Sequence, residues 1–237
     1  MSQTSVVDRV TKDKHAHSGK PSLTDKAYGE IRRRILDNEL ATGTQMLERE
    51  VADLLSMSRT PVREALIRLA EDGLVEVRPR HGMRVLPVSP DDMREIYEVL
   101  TSLEVTAIGV LAEKGLDAAQ LELLESAVAA MDQALLRNDL TAWAVADERF
   151  HHIVVDLAGN QRLTAIVSTL WDQAHRLRMA TLALRPPPTT SNDDHRAVIN
   201  ALKRGQGYAA CRIHREHRQK SGDLLVSLLE KLQGTGL

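Results

Sequence analysis

The stretch Ser58-Arg59-Thr60-Pro61-Val62-Arg63-Glu64-Ala65-Leu66 decides the fold, with Leu69, Gly73 and Leu74 closing the same unit. Thr60 can cap a helix, and Pro61 suits its first position, where the missing N–H has no intrahelical partner to lose. Val62, Ala65, Leu66, Leu69 and Ala70 then recur at three- and four-residue steps, which predicts one apolar face, and Gly73 supplies the stop. Arg59, Thr60, Arg63, Glu64 and Arg68 are left for solvent. Arginines at the N-terminal end of a short amphipathic helix suit a recognition helix. Its first turns enter the major groove, where a guanidinium grips guanine O6 and N7 together. Against this stands a plain solvated helix end, and the neighbouring elements decide between the two.

Upstream, residues 47–55 read as a second short helix with Leu47, Val51, Leu54 and Leu55 inward, and Ser56-Met57-Ser58 is the tight turn of a helix-turn-helix. Downstream, residues 74–77 and 83–86 are strand-like runs around Pro79-Arg80-His81-Gly82, a hairpin with a basic tip, or wing. A helix over 24–38 turns Ala27, Ile31 and Ile35 inward and ends at Asp37-Asn38, where left-handed backbone is tolerated. With Gly43, Leu47, Glu48, the run 58–66, Gly73-Leu74 and Gly82, residues 23–88 resemble the winged helix-turn-helix of the GntR family of bacterial transcription regulators. That resemblance implies DNA contacts from Arg49, Arg59, Thr60, Arg63, His81 and Gly82.

A chain of 237 residues with 43% hydrophobic content is long enough for one large or two modest domains. A net charge of −2 excludes a wholly basic nucleic-acid coat. Residues 22–88 hold eleven Lys/Arg against eleven Asp/Glu, so DNA affinity is expected to lean on a homodimer, which doubles the phosphate contacts. A two-fold protein reads two half-sites, hence a palindromic duplex operator. Two Trp, three Tyr and one Phe are too few rings for a single-strand stacking platform. The single cysteine, Cys211, points to a reducing cytoplasm, a bacterial one if the resemblance holds, and reads as a small buried side chain. Neither a signal peptide nor a membrane span is legible.

Residues 1–21 lack periodicity and read as a mobile tail, residues 22–88 as the DNA-binding domain, and residues 89–237 as an all-α domain for effector binding and dimerisation. Pro87-Val88-Ser89-Pro90 marks the boundary, with Ser89 as cap and Pro90 at the first helical position. Helices are expected over 90–114, 118–137, 139–157, 161–184, 192–204 and 206–232, with Ser191 and Asp194 as a capping box for the fifth. The fold class is therefore mainly α, a winged helix-turn-helix followed by a six-helix bundle.

Six of the nine histidines lie after residue 90. Asp147 and His151 are four apart on one helix and share a face, while His195 and His217 lie on the last two helices. From spacing alone, a metal site and a set of solvated faces both remain open. Asp147-x-x-Phe150-His151, Gly159-Asn160, Asp194-His195 and the interval from Gly205 to His217 make residues 91–230 similar to the FCD domain of the FadR branch, in its six-helix, VanR-like form.

The resemblance implies that Asp147, His151, His195 and His217 hold a divalent ion, zinc first, with nickel, manganese or iron as alternatives. It also implies a small carboxylate effector. Many relatives hold that carboxylate with an arginine where this chain has Leu100, so Glu104, Arg149 and Arg178 become the candidate effector residues, with Arg176 as a further substitute. His152, His175 and His214 read as surface or supporting groups. The expected activity is regulation of transcription, most simply repression. The alternatives are a metal-responsive regulator with a structural or sensed ion, and a metalloenzyme with an appended DNA-binding domain. Against the last, no carboxylate is reserved as a general base once Asp147 is a ligand.

Overall fold

The computed structural model describes residues 21–234, so the expected tail lies almost wholly outside the described residues. The described chain is mainly helical and divides into two compact units between Val88 and Ser89.

In the first unit, α1 (Leu23–Leu36) is entered through a capping box in which Ser22 and Asp25 satisfy each other's backbone N–H. It buries Ala27, Ile31 and Ile35, and Asn38 beyond it is left-handed at φ 60°. Next come β1 (Gln45–Met46), α2 (Glu48–Leu55), α3 (Arg59–Glu71), β2 (Val75–Arg78) and β3 (Gly82–Val85). The strands form an antiparallel sheet in the order β1-β3-β2, pairing Met46 and Val77 with opposite edges of Met83. Ile31, Leu66, Leu69, Leu74 and Met83 fill the core.

Four details depart from the sequence reading. The third helix begins at Arg59 with Ser58 as its cap residue, and Pro61 sits buried in the first turn. Leu54 is exposed, and Ala52 takes its place beside Val51 inside. Arg68 is half-buried, 2.8 Å from Asp25 and 4.2 Å above the Tyr28 ring, where its stem covers apolar surface. The strand β1 was not expected, since two residues are too short for any alternation to be legible.

The second unit consists of α4 (Pro90–Lys114), α5 (Ala118–Leu136), α6 (Leu140–Ala158), α7 (Gln161–Thr181), α8 (Thr189–Lys203) and α9 (Gly207–Gly234). Ser89, Asp117, Asp139 and Asn160 cap the first four through their side chains. Gly159 ends α6 in the left-handed conformation, at φ 70°. The helix α8 starts three residues earlier than expected and carries no side-chain cap. α7 gives way to a 3-10 turn at Leu182–Leu184 before the prolines.

α4 lies along α9 and also touches α6 and α7, so α4, α6, α8 and α9 enclose one interior. Trp143 and Phe150, both inaccessible, occupy it from α6. Two rings of that size remove about 300–500 Å² from water, an upper bound of about 8–12 kcal/mol.

Candidate metal centre and nucleic-acid interface

Each side chain of the centre is delivered by helical periodicity. On α6, Trp143, Asp147 and His151 follow one another at four-residue steps, so they line one face. His195 comes from α8, and His214 and His217 come from α9, three apart. Donor atoms of Asp147, His151, His195 and His217 all lie within 4.8 Å of one another, and all four residues are buried.

The donor set fits a divalent ion. Asp147 Oδ1 and His195 Nε2 are 3.0 Å apart, the separation that two ligands at about 2.1 Å subtend at about a right angle. No two donor atoms are more than 4.8 Å apart, against roughly 4.2 Å for trans ligands, so closing on an ion takes at most some tenths of an ångström. Among the described residues His151 Nε2 is buried without a hydrogen-bond partner, a costly state for a polar atom that nothing claims.

Neighbours orient the rings. Phe150 stacks on His195 at 4.2 Å between centroids, which gives the aromatic in Asp147-x-x-Phe150-His151 its purpose. Asp194 Oδ2 accepts from His217 Nδ1 at 3.3 Å, so the other ring nitrogen, Nε2, is the one free to ligate. Asp194 therefore faces His217 and does not cap α8 as the sequence suggested. His151 Nδ1 lies 2.9 Å from Glu104 Oε2, close but out of line for a hydrogen bond.

Electrostatics keep the donors ready. Burial pulls His151 down to about 4 and His217 to about 3, with the nearby acids opposing, so both rings are neutral at pH 7. Burial alone would raise Asp147, but the hydrogen bond to His195 and the nearby Arg178 guanidinium outweigh it and hold the carboxylate ionised.

A second set, Glu104, His151 and His214, also brings its donor atoms within 4.8 Å. Arg218 Nε stands 3.1 Å from Glu104 and already supplies the counter-charge a cation would bring. This set is thus a buttress behind His151. Burial would raise Glu104, yet Arg218, His151 and His214 together hold it well below the usual carboxylate range.

Several expectations need correction. His214 is inaccessible and 3.0 Å from Glu104, and is no surface group. Arg149 lies two residues from both Asp147 and His151, about 200° round α6, and so points away from the centre. Glu104 is enclosed by a guanidinium and two imidazoles, an unsuitable partner for an anionic effector. Arg178 does reach the centre, 3.7 Å from Asp147 and 3.0 Å from Glu148. His152 packs on Trp171, and His175 pairs with Glu148 at 2.9 Å. Arg176 is buried in α7, and Cys211 is half-buried. Arg185, which the sequence reading passed over, is also buried among these groups.

In the first unit, Arg49, Arg59, Thr60, Arg63 and His81 are all exposed. Arg59 and Arg63 share Glu48 at 3.6 and 4.0 Å, long contacts that hold both guanidinium groups loosely over the start of α3. Gly82 differs from the other five, being buried at φ 77°. A Cβ there would stand 2.1 Å from the Met46 carbonyl oxygen. Its part is to let the wing close on β1, while Arg80 and His81 stay exposed at the tip.

Comparison with known proteins agrees with both units. Residues 95–220 match the family model of the FCD domain, and residues 23–85 match that of the bacterial regulatory proteins of the gntR family. An uncharacterized helix-turn-helix-type transcriptional regulator of Agrobacterium vitis, from the TAR-I ttuE-ttuC' intergenic region, is 48% identical over 134 residues, 56% of this chain and 78% of its own. The helix-turn-helix-type transcriptional repressor RspR of Escherichia coli is 28% identical over 84% of this chain and 86% of its own. The solved structure of E. coli McbR/YncC superposes with a TM-score of 0.74 at 21% identity, over 88% of this chain and 99% of its own, a likeness of fold. Among the described residues no helix is long and apolar enough to cross a membrane.

Proposed function

Because the chain belongs to the gntR family of bacterial regulatory proteins, in the branch that carries an FCD domain, and is a DNA-binding transcriptional regulator and not an enzyme, we propose that it is a metal-dependent sensor of a small organic acid. It acts as a repressor, a homodimer on a palindromic operator. The observation that carries this reading is the convergence of Asp147, His151, His195 and His217 from three helices onto one buried point. When bound there, a divalent ion supplies a Lewis-acidic seat for a carboxylate. Zinc suits three imidazoles and one carboxylate, and nickel, manganese or iron would also be accommodated.

The residues divide the work. His217 is turned by Asp194, and His195 is braced by Phe150. Arg178, 3.7 Å from Asp147, favours its ionised form. The acid can alter operator affinity only through a difference in its affinity for the DNA-competent and DNA-released arrangements, and DNA weakens the acid by the same factor.

A second reading, in which the ion is a structural strut or is itself the signal, is favoured by the near-total burial of His151, His195 and His217, at 1%, 0% and 3% accessibility. One experiment separates the two. The purified protein is scanned for thermal unfolding against a panel of small organic acids, with and without prior chelation, while operator binding is followed by fluorescence anisotropy. An acid at a hundred times its Kd adds about 2.7 kcal/mol. Stabilisation that requires metal, together with release of the operator, supports the acid sensor. A fall in midpoint on chelation with no response to any acid supports the strut or metal signal.

A further inference from the structure

Of the three arginines Arg178, Arg185 and Arg218 at the centre, Arg185 alone has no carboxylate partner among the described residues. It follows the 3-10 turn Leu182–Leu184 and precedes Pro186, and its backbone is extended at φ −74° and ψ 132°, as a residue before proline requires. The side chain is turned inward, and 8% of the residue remains accessible. Its guanidinium carbon lies 4.5 Å from the centroid of the Trp143 ring, and Nη2 reaches Ser191 Oγ only at 3.5 Å. Nε has no hydrogen-bond partner. Arg178 and Arg218, by contrast, lie 3.0 Å from Glu148 and 3.1 Å from Glu104. Burial draws Arg185 below the usual arginine range, against the pull of Asp147 and with the repulsion of Arg178 and Arg218. A cation short of counter-charge is what remains.

Its location follows from helix geometry. Trp143 precedes Asp147 by four residues on α6, and Ser191 precedes His195 by four on α8, so each pair shares a face. Trp143 Nε1 donates to Asn192 Oδ1 at 2.9 Å, tying the two helices one turn away from where Asp147 and His195 meet. The uncapped first turn of α8 adds its own preference for an anion. We propose that Arg185, seated on Trp143 beside Ser191, is an anion subsite for the second carboxylate of a short dicarboxylic acid whose first carboxylate is held at the Asp147, His151, His195 and His217 centre. This rests on the acid-sensing reading of that centre. Four or five carbons suit a span of one helical turn, about 5.4 Å.

The test is calorimetric titration of metal-loaded full-length protein with succinate against butyrate and glutarate against pentanoate. Wild type, Arg185→Met and Arg185→Lys are compared, with metal content measured in parallel. Wild type is expected to prefer the diacid of a pair at least about tenfold. Arg185→Met loses that preference with metal content and monoacid affinity unchanged, and Arg185→Lys keeps part of it. Without ligand, Arg185→Met is expected to unfold at the same or a higher temperature, because it replaces an unpaired buried cation. A purely structural arginine would lower it. A diacid preference that survives Arg185→Met, or equal binding of diacid and monoacid by wild type, overturns the subsite and leaves the acid sensor standing. No binding of either series to metal-loaded protein overturns both.

Discussion

Asp147 and His195 meet at 3.0 Å across α6 and α8, although 48 residues separate them in the chain. The contact ties the local Asp147/His151 pair to the distant histidines, and it is the edge of the donor set already spaced for an ion. His195→Ala is expected to lower metal affinity at least a hundredfold, roughly the upper end for loss of a supporting group. Competition against a chromogenic chelator measures this. Affinity within tenfold of wild type would remove His195 from the ligand set.

Arg63→Ala is expected to cost about 1–3 kcal/mol of specific operator binding and to relax the sequence preference at one position of each half-site. Operator and scrambled duplexes titrated at fixed salt read this out. An equal loss on both duplexes would make Arg63 a phosphate contact.

Gly82→Ala tests the wing. The added Cβ meets the Met46 carbonyl at 2.1 Å on a backbone held at φ 77°. The first unit is expected to lose more than about 2 kcal/mol in urea unfolding. Normal stability with weakened DNA binding would instead make Gly82 a contact in its own right.

Glu104→Gln leaves Arg218 as a buried charge without its carboxylate, and both residues are at most 4% accessible. A loss of about 3–5 kcal/mol is expected, recovered in part by adding Arg218→Met. If the single change is neutral, Glu104 does not hold Arg218.

Acid should loosen the metal-free second unit before neutral pH does. His151 and His217 have folded values of about 4 and 3, below the 6.5 of an unfolded histidine. Between those limits the unfolded chain binds more protons, so stability is full above pH 6.5 and falls as pH drops toward 4. Asp147 and Glu104, also depressed, extend the loss at lower pH. Unfolding temperatures of chelated protein from pH 7.5 to 4.5 should decline steadily. A rise would contradict neutral buried rings.

Much of the architecture was legible because it is local. Periodicity marked the faces of α1 and α3, and turn residues such as Asn38 and Gly73 marked helix ends. The four donors followed from resemblance, since only Asp147 and His151 are neighbours in sequence. What escaped is tertiary. His214 and Glu104 lie 110 residues apart and meet only when α4 lies along α9. Arg149 and Arg185 look alike in a sequence, yet one faces away from the centre and the other is enclosed by it. The three prolines after Arg185 break the helical run, and Pro186 also sets the extended backbone from which that arginine enters the interior.

The order in which these parts leave the ribosome has its own consequence. The first unit closes its core with residues before Val88, whereas the donor set is incomplete until His217 has been made. At about 5–20 residues per second, the winged unit precedes the donor set by roughly ten seconds. Each newly made chain therefore passes through an interval in which its helix-turn-helix can fold while the four donors have yet to meet.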